Sequence, residues 1–150
     1  MAMKKTVLVL AVGALLAGCA AGGSGTRDIR ENDLRKSTHF INDLMLSDMD
    51  FPTLQRNLFR HRDACGSAPR FIMDKGETSR GSLIDAAEIP ESYENVVLAD
   101  LIQYPESWRS AKKVAVRIYS YYYNDAVQKR VDWMLDAVRQ PGVCTPADAE

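Results

Sequence analysis

The sequence has few of the residues, and none of the short motifs, that indicate a known chemistry. Its 150 residues include only three cysteines and two histidines. There is no C-x-x-C, H-E-x-x-H or G-x-S-x-G motif and no glycine-rich phosphate loop. His39 and His61 have no carboxylate or cysteine at a metal-ligand spacing. We therefore expect a protein that is not an enzyme and that uses no cofactor and no metal.

A strong excess of one charge is also missing. The formal net charge is −1, from 19 Lys and Arg against 20 Asp and Glu. Domains that bind nucleic acid usually carry a clear basic excess on one face. The balance therefore argues against nucleic acid as the main partner.

Glycine is absent from Ser82 to Pro141, where only Pro90 and Pro105 interrupt the chain. Tight β-turns often need glycine, so this absence favours helices over a β-meander. The expected fold is mainly α, a small bundle of four to five helices. A turn-rich segment near residues 64–81 is expected to be irregular or extended.

The first 19 residues have the pattern of an export signal. Two lysines at positions 4 and 5 precede an apolar run over residues 6–16, which is shorter than the ~20 residues that cross a membrane. Residues 16–19, LAGC, resemble the lipobox of bacterial lipoproteins. The resemblance implies removal of residues 1–18 as a signal peptide. It also implies a membrane anchor of acyl chains such as palmitate at Cys19.

Residues 19–26 are expected to be the lipidated N-terminus and a flexible tether. The segment Ala20–Gly25 spans at most about 20 Å when extended. In enterobacterial lipoproteins, Asp after the lipidated cysteine favours retention in the inner membrane, and this chain has Ala20. The resemblance therefore implies the periplasmic face of the outer membrane of a Gram-negative bacterium. We expect a single domain over residues 27–144 and a frayed tail over 145–150.

Export to an oxidising compartment gives the other two cysteines a role. If Cys19 is lipidated, Cys65 and Cys144 remain, and a pair of cysteines in an exported protein is a disulfide candidate. The bridge would close a loop of about 80 residues, which contributes about 4 kcal/mol in the chain-entropy model. We predict that it braces the helical bundle.

Apolar periodicity and capping residues predict the individual helices. The expected helices are one from about Asp28 to Leu46, one starting at Asp48 or Asp50, one containing Tyr93–Tyr104, one from Pro105 through Tyr123, and one from Asp125 to about Gln140.

The segment Trp108–Tyr123 decides the fold class. Val114, Val116 and Ile118 alternate with polar or aromatic residues, as in a strand. A helical wheel matches more residues over a longer window, so the helix is preferred. The alternative is an α+β fold with a hairpin near residues 95–122.

Basic and aromatic side chains supply the candidate surface for a partner or for lipid. The arginines near the end of the second helix also complement its dipole, and the aromatic residues displaced from the apolar stripes also suit a core. The candidates are Arg56, Arg60, Arg62, Arg109, Lys113, Arg117, Tyr123 and Trp133.

These features favour a non-enzymatic binding or accessory module for an envelope protein complex, such as an assembly factor, a pilotin-like factor or an activator. The alternative is a periplasmic inhibitor or immunity protein against an envelope-acting enzyme or toxin. A weaker third hypothesis is a cell-wall-active enzyme that uses a carboxylate such as Asp100, which more simply lies at the edge of an apolar stripe or is hydrogen-bonded.

Overall fold

A computed structural model of the chain describes residues 27–144. The expected signal peptide, the lipidated Cys19, the tether and the tail over 145–150 lie outside the described residues. The elements are α1 (Glu31–Leu34), a 3₁₀ turn (Ser37–His39), β1 (Phe40–Ser47), α2 (Phe51–Cys65), β2 (Arg70–Met73), β3 (Arg80–Ile84), β4 (Val97–Tyr104), β5 (Lys113–Ser120) and α3 (Asp125–Arg139). No helix within 27–144 is both long and apolar enough to cross a membrane.

The strands form one five-stranded sheet in the order β1-β5-β4-β3-β2, and all neighbouring pairs are antiparallel. β4 and β5 form a hairpin that pairs Val97 with Ser120 at one end and Tyr104 with Lys113 at the other. β1, the first strand in the chain, pairs with β5. The two edge strands of the sheet are therefore β1 and β2.

The expected helical bundle is wrong. The segments predicted as helices over 28–46, 93–104 and 105–123 contain strands β1, β4 and β5 instead. A further strand, β3, begins just before the glycine-free region, contains Gly81, and pairs with β4. The hairpin near 95–122, which the alternative interpretation contained, is present as β4 and β5. The expected extended segment near 64–81 contains β2 and the start of β3.

The second and last predicted helices are present as α2 and α3. Asp50 caps α2, because its Oδ1 accepts a hydrogen bond of 2.8 Å from the Thr53 amide. Gly66, with φ of 81°, ends α2 in the left-handed conformation that favours glycine. The cap of α3 is Asn124 rather than the expected Asp125, since Asn124 Oδ1 accepts a 2.9 Å bond from the Val127 amide.

The main core lies between one face of the sheet and the two long helices. Alternate residues of each strand reach this face, as the period of two requires. The fully buried members include Leu54 of α2, Met134 and Val138 of α3, Val114 and Ile118 of β5, and Val97 of β4. Within residues 27–144, the other sheet face is covered at one end only, by Leu34 and the 85–96 loop packing on Ile84 and Leu98.

The structure contains the disulfide between Cys65 and Cys144, with 5.4 Å between the Cα atoms. It joins the last residue of α2 to the segment that follows α3. The sequence separation is 79 residues, so the bridge closes a large loop and lowers the conformational entropy of the unfolded chain. This part of the expected fold is confirmed.

Candidate functional site

An uncovered patch of apolar and aromatic side chains lies on the sheet face away from the helices. We call it the open sheet face and define it as Met45, Ile102, Tyr104, Lys113 and Ala115. Met45, Ala115 and Ile102 lie side by side across β1, β5 and β4. Met45 and Ile102 are 46% and 37% exposed. Lys113 Nζ lies 5.8 Å from the centre of the Tyr104 ring, a cation–π distance.

Charged side chains separate the open sheet face from the covered end of the same sheet face. Arg117 donates two hydrogen bonds to Asp43, of 2.9 and 3.0 Å, and these hold the pKa of Asp43 below its usual range. Asp100 lies beside them in the register and is bound by Arg35. Asp100 is therefore hydrogen-bonded, as the sequence favoured, and its oxygens are engaged by a guanidinium.

The loop between β4 and β5 presents the most exposed aromatic side chain. We call residues 105–112 the β4–β5 tip. Ser107 and Ser110 pair across its turn through two backbone hydrogen bonds of 2.9 and 3.2 Å. Trp108 lies in that turn and is 86% exposed, with the Arg109 guanidinium 4.0 Å from the ring centre. Tryptophan is usually well buried, so this arrangement is unusual for a side chain with only a packing role.

A salt bridge fastens the base of the β4–β5 tip to the helix layer. Lys112 Nζ lies 2.9 Å from Oδ2 of Asp50, the cap of α2. The bonds from Thr53 and Lys112 lower the pKa of Asp50 to about 2. The tip is thus held at its turn by the two serines and at its base by Lys112.

The predicted surface residues do not form one patch. Arg56, Arg60 and Arg62 lie exposed on α2, on the helix side of the sheet. Lys113 and Arg117 alternate with the core residues of β5 and therefore lie on the opposite side. Arg109 lies in the β4–β5 tip, and Tyr123 is 82% exposed in the turn before α3.

Trp133 does not lie on the open surface of α3 that the sequence pattern indicated. It is 6% exposed, and its ring packs edge-on against His61, with 6.2 Å between the ring centres. Sequence reasoning also missed Trp108, which lies in the segment that it predicted as a helix. Pro105 and the two flanking serines, between runs rich in β-branched residues, were the available signal for a loop.

A groove of about 590 Å³ lies on the helix side, beside the disulfide. Its walls are the C-terminal half of α2, residues 66–69, the start of β2 and the residues after β3. The lining residues include Leu58, Phe59, Arg62, Arg70, Phe71 and Trp133. A volume of this size falls within the ordinary range for ligand sites.

Asp85 borders this groove but is engaged within the fold. Its Oδ1 accepts a 2.9 Å hydrogen bond from the Val97 amide, and Arg130 Nη2 lies 2.5 Å from Oδ2. Burial raises the pKa of Asp85, while Arg130 acts to lower it. The Arg130 charge therefore compensates the Asp85 carboxylate at the groove.

Over residues 27–144, no three His, Cys, Asp or Glu side chains are grouped so that they could hold a metal ion. In comparisons with known proteins, no family model, no curated protein and no solved structure matches the chain.

Proposed function

We propose that the protein is a lipoprotein of the outer membrane that acts as a non-enzymatic binding or accessory module for an envelope protein complex. The LAGC sequence ending at Cys19 supports the lipid anchor. The observation that carries the binding role is the β4–β5 tip, where Trp108 is 86% exposed under the Arg109 guanidinium.

Such a tip has the properties of an interface anchor. Aromatic side chains bury roughly 150–250 Å² each, so covering Trp108 supplies a few kcal/mol of binding free energy. The paired Ser107 and Ser110 already fix the turn, which reduces the entropy lost on binding. Trp and Arg are also the residue types most enriched among interface hot spots.

The position of the tip favours a protein partner over the bilayer. Arg27, where the tether would join the fold, contacts Tyr121 just after the end of β5. The tip precedes the start of β5, and eight residues of strand span about 27 Å. The eight residue steps from Cys19 to Arg27 span at most about 28 Å when extended, so the Arg27 end is the part of the sheet held nearest to the membrane, and the tip lies at the opposite end.

The side chains around Trp108 indicate the chemistry of the partner surface. Arg109 and Lys113 bring positive charge to the tip and to the open sheet face, and Met45 and Ile102 add apolar area. An apolar pocket rimmed by carboxylates on an envelope protein is complementary to this arrangement.

Photocrosslinking in cells tests the proposal. We expect a photoreactive phenylalanine derivative at position 108 to capture one envelope protein, identified by mass spectrometry. The same derivative at position 59, which is exposed on the helix side, should not capture it. Trp108→Ala should abolish capture from a derivative at position 102 while leaving the thermal unfolding temperature unchanged. Capture from position 59 but not from 108 or 102 would contradict the assignment of the surface.

The anchor has its own test. Growth with a radioactive fatty acid should label the protein, and Cys19→Ala should carry no label and lose its function in cells. A Cys19→Ala variant that still takes up the label would show that Cys19 is not the lipidated residue.

The same tip favours a second candidate, an inhibitor or immunity protein. A rigid turn that carries Trp108 and Arg109 at its end can fill the active-site cleft of an enzyme. In that case the captured partner is an enzyme or a toxin, it binds in a 1:1 complex, and its activity is suppressed. Trp108→Ala should then restore the activity of that enzyme or toxin. If the protein is instead an accessory module, the same substitution should reduce the activity of its partner.

A further inference from the structure

The groove beside the disulfide lies on the opposite side of the sheet from the open sheet face, so it is a separate site. Its inner surface is apolar and partly aromatic. Leu58 and Trp133 are nearly buried at its base, and Phe71 reaches it from β2. Phe59 extends this surface outward from α2 and is 56% exposed.

Two arginines give the groove a positive rim. Arg62 lies over the Phe59 ring at 5.1 Å, and among residues 27–144 its one ion pair is with the exposed Asp63, at 4.0 Å. Arg70 donates one hydrogen bond of 3.1 Å, from Nη1 to the Ala87 carbonyl. Each guanidinium has five N–H donors, so both arginines keep donors for a ligand.

The walls of the groove are fixed in place. Residues 66–69 form one wall between the disulfide at Cys65 and the first residue of β2. The buried Pro69 restricts the backbone there. A preformed groove binds a ligand without a large cost in ordering the protein.

We propose that the groove binds a fatty-acid-like amphiphile, with its single acyl chain on the apolar base and its carboxylate at Arg62 and Arg70. The chemistry of the lining supports this occupant. Apolar walls with a few polar groups at one place are typical of ligand sites, and guanidinium is the best match for a carboxylate. A cationic ligand lacks a partner, because the charge of Asp85 is already matched by Arg130.

An extended peptide is a weaker occupant. It would have to continue the sheet along the free edge of β2, and β2 has only four residues. Short edge strands are a common device that discourages added strands. The other edge strand, β1, has eight residues, and none of them lines the groove.

Tryptophan fluorescence provides a direct test, because the chain has two tryptophans and one of them lines the groove. The full chain would carry Cys19→Ala, so that no attached acyl chain competes, and Trp108→Phe, so that Trp133 is the one remaining tryptophan. The probe is 9,10-dibromostearate, whose bromine atoms quench a tryptophan only at close range. We expect saturable quenching below the aggregation concentration of the probe, reversed by oleate.

Charge and filling variants test the pose. Arg62→Gln combined with Arg70→Gln should weaken binding about tenfold or more, because charge-assisted hydrogen bonds are lost. Arg60→Gln is the matched control on the same helix, since Arg60 does not line the groove, and it should bind as the parent does. Ala87→Phe should fill the exposed side of the groove and abolish quenching without changing the unfolding temperature.

Three results would overturn the proposal: no saturable quenching, equal binding of the uncharged amphiphile dodecyl maltoside, or unchanged binding by the double arginine variant. Displacement of the probe by an acidic heptapeptide more readily than by oleate would also overturn it, in favour of a peptide site. Binding in the groove does not depend on the proposed accessory role. That role is carried by Trp108, which is already replaced in this experiment. Failure of the groove proposal leaves the crosslinking result at position 108 unaffected.

Discussion

The Arg35 guanidinium holds the Asp100 carboxylate through three contacts, with Nε 3.1 Å from Oδ1 and 2.9 Å from Oδ2, and Nη2 2.8 Å from Oδ1. The two residues are 65 positions apart in the sequence. Glu31 adds a 2.6 Å contact to the same guanidinium. The pair therefore fastens the N-terminal segment, which covers one end of the sheet, to the middle of β4.

Breaking this pair should destabilise the fold. Arg35→Leu and Asp100→Leu should each lower the free energy of unfolding by about 1–3 kcal/mol, the usual range for a charged hydrogen-bonded partner. The double variant should lose less than the sum of the two, by about 1 kcal/mol or more. Urea denaturation of the four proteins measures this coupling.

The Asp43–Arg117 pair in the neighbouring strands is the matched control. It has similar geometry, but both side chains are more than half exposed, and exposed ion pairs contribute little. Asp43→Leu and Arg117→Leu should show no measurable coupling. Equal coupling in the two pairs would mean that burial under the N-terminal segment does not strengthen the Arg35–Asp100 contact.

Because His61 is buried, we expect the fold to lose stability on mild acidification. This histidine is fully buried in α2, and burial lowers the pKa of its imidazole, against smaller opposing effects of Pro141 and Asp136. The unfolded chain therefore takes up a proton near pH 6.5, while the folded chain resists it. The free energy of unfolding should fall as the pH drops below about 6.5, by up to about 1.4 kcal/mol per pH unit.

Thermal unfolding between pH 7.5 and 5 checks this expectation. His61→Gln should flatten the pH dependence in this window, because glutamine does not titrate. His39→Gln, which replaces the partly exposed histidine of the 3₁₀ turn, should leave the slope in place. A slope that survives in His61→Gln would assign the acid sensitivity to another group.

Asp50 should contribute to a second, more acidic window. Bonds from the Thr53 amide and Lys112 lower its pKa from 3.8 to about 2. A depressed pKa means that the carboxylate's contribution is complete above pH 3.8 and is lost as the pH falls towards 2. Asp50→Ala should lower the free energy of unfolding at pH 7 by about 1–2 kcal/mol, as for other lost N-caps.

Asp50→Asn separates the cap from the charge. Asparagine also caps helices well, so this variant should retain most of the stability at pH 7. It should lose the part of the change between pH 4 and pH 2 that comes from Asp50, because the amide does not titrate. Urea denaturation at pH 7, 4 and 2 measures both effects. An Asn variant as unstable as the Ala variant at pH 7 would place the stabilisation in the Lys112 pair instead.

The β5 segment shows why the sequence pattern favoured the wrong fold. Residues four apart share a face at both the helical and the strand period. Lys113 with Arg117, and Val114 with Ile118, therefore satisfied both interpretations equally. Val116 discriminates between them: it fits the helical wheel poorly, whereas in β5 it is almost fully buried beside Val114 and Ile118.

The absence of glycine wrongly predicted helices around the β4–β5 turn, because this turn needs no glycine. This turn joins its strands through paired serines and Pro105, and none of the described residues in it has a positive φ. In β1, a register irregularity between Phe40 and Asn42 disrupts the strict alternation of a strand. Such an irregularity cannot be read from residue types.

The two long helices were predictable because their signals are local. Pro52 in the first turn, the Asp50 cap and the Pro141-Gly142 stop all lie within a few residues of the elements they define. The disulfide was predictable from the expected compartment and the cysteine count. The pairing of Arg35 with Asp100 depends on how the N-terminal segment lies against β4, which no local pattern contains.

A substitution at Gly81 tests how closely β2 packs against β3. A Cβ at this position would lie 2.8 Å from the Ile72 carbonyl oxygen and 2.9 Å from the Phe71 ring. The carbonyl belongs to the backbone of β2, and the Phe71 ring packs on Phe51 at 5.1 Å, so neither can move without disturbing its neighbours. Gly81→Ala should lower the free energy of unfolding by about 1–3 kcal/mol, the usual range for overpacking.

Gly142→Ala is the matched control, because a Cβ there meets nothing within 4 Å. It should leave the free energy of unfolding unchanged or raise it slightly, since alanine restricts the unfolded chain more than glycine does. Both variants can be compared by urea denaturation at one pH. If Gly81→Ala were as stable as Gly142→Ala, β2 could not lie this close over β3, and the groove that Phe71 helps to line would have to be redrawn.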